Sequence, residues 1–187
     1  MTDTIVKDPH VCVRCAEHGP TCCRITPGQE EVCFPLSTAE WERIRDFQPD
    51  KGGFVKQANS QAFIDNVKRL FPGEDEAVAE LFPERGEHVR LALRSDGSCR
   101  FLGSKGCVLP RESRPYYCRL YPFWIAGGEI LVFESPTCLA RRECRSLNCM
   151  MRTLKTNAAT VRDLYGRLRL AWGLPPARGM RKVKRTF

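Results

Sequence analysis

The chain has 187 residues, 42% of them hydrophobic, and a formal net charge of +8, which suffices for one domain with its own core and no external staples. No segment approaches the roughly 18 consecutive apolar residues of a membrane span. The N-terminal residues also lack the basic-then-apolar pattern of a secretory leader, so the expectation is a cytoplasmic protein with no membrane contact.

Eleven cysteines exceed what such a core requires, and in a reducing compartment they point to metal rather than to disulfides. The count is odd, so an all-disulfide scheme leaves one thiol over. Metal-bound thiolates are anionic, and two four-thiolate divalent sites would lower the formal charge from +8 to +4. Part of the Lys and Arg excess is then explained without nucleic acid.

The first chemical signal along the chain is Cys12-x2-Cys15-x6-Cys22-Cys23. Two cysteines at this spacing can curl around one tetrahedral metal. No strand pattern precedes them and no amphipathic helix pattern follows, which argues against a thioredoxin-type redox pair. Adjacent side chains diverge, so Cys22 and Cys23 are expected to serve two different sites and to fasten the N-terminal arm, through metal, to later cysteines. His10 and His18 flank the motif as alternative nitrogen ligands.

A cysteine-free stretch over about 37–83 reads as a helical insert. Ser37-Thr38-Ala39-Glu40 forms a capping box, with Trp41, Ile44 and Phe47 along one side of a short helix. Gln48-Pro49-Asp50-Lys51-Gly52-Gly53 ends it. Ser60 caps a second helix whose apolar set is Phe63, Ile64, Val67, Leu70 and Phe71, stopped by Pro72-Gly73, and a shorter helix follows over Asp75 to Phe82.

From His88 the period becomes two. Val89, Leu91 and Leu93 alternate with Arg90 and Arg94, and Asp96-Gly97 predicts a tight turn into Cys99 and Phe101, with His88 at the hairpin edge. A second hairpin is expected from Phe123 to Ala126 and Glu129 to Phe133 around Gly127-Gly128. Val161, Leu164, Tyr165, Leu168, Ala171 and Trp172 form the stripe of a long C-terminal helix, ended by Gly173 and Pro175-Pro176. Residues 177–187 carry five Lys or Arg and read as a flexible basic tail.

Between these elements lie Cys99-x-Phe101-Leu102, Cys107, and Arg114-Pro115-x2-Cys118-Arg119-x-Tyr121-Pro122-Phe123. Together with the first block they resemble the CxxCxxCC cysteine-cluster family, described as a zinc- or iron-chelating domain. The resemblance spans Cys12 to Phe123 with the cysteine-free insert between. It implies metal-ligand roles for Cys12, Cys15, Cys22, Cys23, Cys99, Cys107 and Cys118, with Cys138 as an eighth, enough for two four-thiolate sites. Cys33, Cys144 and Cys149 depart from the family pattern and read either as buried apolar thiols or as partners of Cys138 in a further site.

Arg114 and Arg119 are placed to offset thiolate charge. Tyr116, Tyr117 and Tyr121 read as core or cluster cover. No phosphate-binding glycine loop, Ser-His-Asp constellation or cofactor fingerprint is present in the sequence.

The expected fold is α+β: a small single domain over 1–176 with short β-hairpins, several helices, cysteine-metal sites and a long C-terminal helix. The expected function is binding of zinc or an iron-sulfur cluster, in a non-catalytic metal-handling or partner-binding domain. The alternatives are an iron-sulfur enzyme or electron-transfer component, and a nucleic-acid-binding protein. The last is disfavoured because the aromatic residues lie in apolar stripes rather than among the basic residues of the tail.

Overall fold

The computed structural model describes residues 10–48 and 52–177. The basic tail beyond Ala177 and the Pro49-Asp50-Lys51 part of the predicted helix stop lie outside the described residues. Among these residues the architecture is α+β, with eight helices and three two-stranded antiparallel sheets. No described helix is long and apolar enough to cross a membrane.

Helix α1 spans Val11–His18 and α2 spans Thr38–Phe47. The capping box is formed in full: the Ser37 side chain accepts from the Glu40 amide, and the Glu40 carboxylate accepts from the Ser37 amide at 2.9 Å. Of the predicted stripe, Ile44 is fully buried and Phe47 is exposed, because α2 packs its middle turn and lets its last turn run out toward solvent.

The insert is not wholly helical. Strand β1 (Phe54–Ala58) precedes α3 (Gln61–Leu70) and α4 (Asp75–Leu81). It pairs antiparallel with β2 (Glu87–Leu91), Gln57 opposite His88 and Val55 opposite Arg90. The hairpin expected between Val89 and Phe101 forms only at its tip, where Arg94 and Ser98 bond across the Asp96-Gly97 turn and the Arg100 amide donates to the Ala92 carbonyl. β2 takes β1 as its partner, and across the Asp96-Gly97 turn one isolated bridge joins Leu93 to Cys99.

Burial on β2 is also inverted relative to the alternation. His88 is 5% exposed and Arg90 8%, whereas Val89 and Leu91 are half-buried. His88 is thus not an edge residue. Its ring stacks on Phe63 of α3, with centroids 3.7 Å apart. Asn59 donates its amide to the Pro83 carbonyl, which leaves Asn59 Oδ1 as an acceptor, so His88 Nδ1 donates to it at 2.8 Å.

Short strands β3 (Leu102–Gly103) and β4 (Gly106–Cys107) lead through a 3₁₀ turn to α5 (Tyr116–Leu120). The second predicted hairpin forms as β5 (Phe123–Ala126) and β6 (Glu129–Val132). Helices α6 (Leu139–Glu143), α7 (Leu147–Thr153) and α8 (Ala158–Trp172) complete the chain, and Gly173 closes α8 at φ 89°.

The main core unites α3, α4, α5, β5, α6, α7 and α8, with Phe63, Phe71, Phe123, Trp124, Tyr165 and Trp172 among its buried residues. A second, small core consists of Ile44, Phe101 and Leu109, flanked by Phe54, Leu91, Cys99 and Cys107. α8 also buries Arg169 at 1% exposure. Its guanidinium pairs with Glu74, Nη1 to Oε1 at 2.8 Å, and its Nε donates to the Pro175 carbonyl.

Candidate metal centre

Local structure first decides where each sulfur stands. The Cys-x2-Cys motif forms no open loop: both cysteines sit in α1, which His10 caps by accepting the Cys12 amide at 3.3 Å. His10 Nδ1 is thereby committed to the backbone, and His18 lies exposed in the last turn. Cys15 is buried, with its sulfur 3.7 Å from the Thr137 carbonyl oxygen and 3.9 Å from that of Pro20. Cys12 keeps solvent contact.

The loop after α1 then crosses to the Asp96-Gly97 turn. The Cys99 amide donates to the Cys23 carbonyl at 2.8 Å, and the Ile25 amide to the Gly97 carbonyl at 3.0 Å. Arg24 bridges Ser98 across the backbone and pairs with Asp96 at 2.7 Å. Gly106 has φ 92°, a conformation that favours glycine, at the point where β4 meets α1. The arm is fastened to the second cysteine block by backbone hydrogen bonds.

Cys118 is positioned from a third direction. Glu40, 1% exposed, accepts from Ser37 with one carboxylate oxygen and from the Tyr116 amide, at 2.7 Å, with the other. One carboxylate therefore ties the start of α2 to the start of α5. The sequence reading found Glu40 as a local cap. Its second partner lies 76 residues away, a distance no local pattern signals.

The result is a neighbourhood of six thiols, Cys12, Cys22, Cys23, Cys99, Cys107 and Cys118, each acting electrostatically on others of the group. Cys12, Cys22 and Cys118 retain accessible surface, so the group opens to water on one side, although the sulfurs are densely surrounded by protein. Desolvation pushes Cys12 up to about 11 and Cys99 up to about 12. It also raises Cys107, and lifts Cys118 well above the usual thiol range.

The Cys22-Cys23 dipeptide lies in a turn rather than in the extended backbone that would send its side chains to opposite faces. Their thiols are hydrogen-bond partners, which raises Cys22 and lowers Cys23 to about 7, with Arg114 and the Thr21 hydroxyl adding to the lowering against the opposing effect of burial. The Thr21 hydroxyl also accepts the Cys23 amide at 3.0 Å and so holds the dipeptide in a turn rather than in extended backbone. Thr21 was not singled out in the sequence, where it is one hydroxyl among many.

Arg114 is the central cation. Its Nε donates to the Leu109 carbonyl at 2.9 Å and its Nη2 to the Cys107 carbonyl at 3.3 Å. From there it acts on Cys12, Cys23 and Cys107.

Cys15 and Cys138 form a second, adjoining pair, linked electrostatically to each other and to Cys12. Cys33 stands apart, raised by desolvation among Arg90, Glu30 and Glu31. Cys144 and Cys149 are joined in a disulfide with Cα atoms 5.5 Å apart, contrary to the expectation that all thiols stay free. Ser146 caps α7 by accepting the Cys149 amide, and this cap returns the chain toward Cys144.

Among the described residues, no group of three or more His, Cys, Asp or Glu side chains is arranged to hold a metal ion. The thiols share one electrostatic neighbourhood without a closed coordination shell. Neither protein-family models nor curated proteins nor solved structures include a match to the chain.

Proposed function

We propose that the protein binds zinc or iron through Cys12, Cys22, Cys23, Cys99, Cys107 and Cys118, with Cys15 and Cys138 as an adjoining donor pair. In this reading it is a non-catalytic metal-handling or partner-binding domain. The supporting observation is the electrostatic neighbourhood shared by thiols from α1, the loop after it, the Asp96-Gly97 turn, β4 and α5, with Arg114 acting on Cys12, Cys23 and Cys107 among them. Closing a coordination shell requires the sulfurs to draw together, and proton release from raised thiols would accompany binding. A bound metal would supply cross-links between segments that now meet through hydrogen bonds. The resemblance to the CxxCxxCC family points the same way.

The test is metal content of the full chain purified anaerobically under reducing conditions, with Cys118→Ser and Cys99→Ser alongside. Stoichiometric zinc, or iron with visible absorbance and brown colour, that falls in both variants is the expected result. A folded wild-type protein free of zinc and iron, and unable to take up either from solution, would overturn the reading.

A further inference from the structure

Two arginines meet at one aromatic ring, Arg43 from α2 and Arg119 from α5, where α2 and α5 come together. Arg43 of α2 places its guanidinium carbon 5.1 Å from the Tyr116 ring centroid. Arg119, one turn along α5 from Tyr116, places its own at 5.7 Å. Like charges at one ring repel, and the ring's attraction for each cation offsets this only in part.

Neither arginine has a carboxylate partner among the described residues. Asp163 pairs with Arg167 and Asp46 with Arg45. Glu40, packed at the same junction, has its two oxygens taken by Ser37 and by the Tyr116 amide. Arg43 Nη2 donates to the Arg114 carbonyl at 3.2 Å, while the Nε atoms of Arg43 and Arg119 are buried without partners.

The guanidiniums with leading effects on the titrating cysteines are Arg114, Arg94, Arg90 and Arg142. Arg43, Arg111 and Arg167 are all within electrostatic range of Arg119. Arg111 stands as a further cation at this site, held by the Leu154 and Lys155 carbonyls at 3.3 and 3.4 Å.

Half-buried guanidinium forks without a counter-anion are suited to an oxyanion that accepts several N–H bonds at once. We propose that Arg43 and Arg119, gathered at Tyr116, bind a phosphate group, either free phosphate or the end of a phosphomonoester. Two cations match a dianion, whereas a carboxylate leaves one of them uncompensated. The site adjoins Cys118 on α5 but requires no bound metal.

The experiment follows the arginine Nε–H resonances of the full-length protein during titration with sodium phosphate, phenyl phosphate, sodium acetate and sodium chloride at matched ionic strength. Saturable shifts of Arg43 and Arg119 with phosphate, and not with acetate or chloride, are expected. Phenyl phosphate binding as tightly as phosphate identifies a phosphomonoester site, and weaker binding identifies a free-ion site. Arg119→Gln should weaken phosphate by about tenfold or more, with partial recovery in Arg119→Lys, which keeps the charge without the fork. Exposed Arg100→Gln should change nothing. The wild-type resonances test the proposal even if a variant misfolds. Equal response to acetate and phosphate, absence of saturation, or undiminished affinity in folded Arg119→Gln would overturn it. Metal content measured on the same samples keeps this outcome separate from that of the thiol cluster.

Discussion

The amide of Cys99 donates to the carbonyl of Cys23 at 2.8 Å, so cysteines 76 positions apart in the sequence are joined by backbone before any ligand acts on their sulfurs. Two such bonds and the Arg24–Asp96 pair dock the arm on the Asp96-Gly97 turn.

Gly97 is the most sensitive point of this docking. Its φ is 79°, and a Cβ there would stand 1.9 Å from the Ile25 carbonyl oxygen, so backbone must move to admit any side chain. Gly97→Ala should cost about 2–4 kcal/mol and raise the alkylation rate of Cys22 and Cys23. Thermal unfolding and thiol-labelling kinetics measure both. Unchanged labelling would show that the arm holds its place without this turn.

His88 makes stability depend on pH. Burial first, then Arg90, lowers its pKa from 6.5 to about 4, so the unfolded chain takes up this proton before the folded one does. The contribution of the neutral ring is complete above about pH 6.5 and is lost progressively as pH falls toward 4, by roughly 2–3 kcal/mol. Urea unfolding at stepped pH should show this decline in the wild type and a shallower one in His88→Gln. Parallel pH profiles would rule out the assignment.

Arg169 and Glu74 should respond asymmetrically. Glu74→Ala leaves a guanidinium buried at 1% exposure without its carboxylate, at a cost of about 3–5 kcal/mol. Arg169→Met fills similar volume without a charge and should cost less. Chemical denaturation of the two variants decides, and equal losses would mean that packing, not charge, holds α8 to the start of α4.

Cys144→Ser and Cys149→Ser separate the disulfide from the thiol cluster. Opening a loop with a sequence separation of 5 should remove about 2 kcal/mol of stability and leave metal content as in the wild type. A loss of metal in either variant would place these cysteines in the centre.

Where periodicity and caps act locally, the sequence was readable. Ser37–Glu40, Ser60, the Gly127-Gly128 hairpin and the Gly173 stop all appear where their chemistry puts them. What failed depends on remote partners. β1 has the short, partly polar pattern of a loop and becomes a strand only because β2 pairs with it. His88 is buried because Asn59 and Phe63 prepare a place for it. In the site, the cysteine blocks were legible from spacing. The turn at Cys22-Cys23 was not, because Thr21 and the Cys99 amide set it. The second role of Glu40 and the pairing of Arg43 with Arg119 around Tyr116 likewise exist only once α2 and α5 meet.

Ile44, Phe101 and Leu109 alone form the fully buried part of the small core beside Cys99 and Cys107. At roughly 1.5–3 kcal/mol for each buried side chain, this region opens at lower free energy than the aromatic core behind it. Native-state hydrogen exchange should therefore find Cys99, Phe101 and Leu109 exchanging through a sub-global opening while α8 stays protected. The thiols stand beside the foldon that breathes first, so a ligand of the proposed thiol site would reach them through an opening that leaves the rest of the molecule folded.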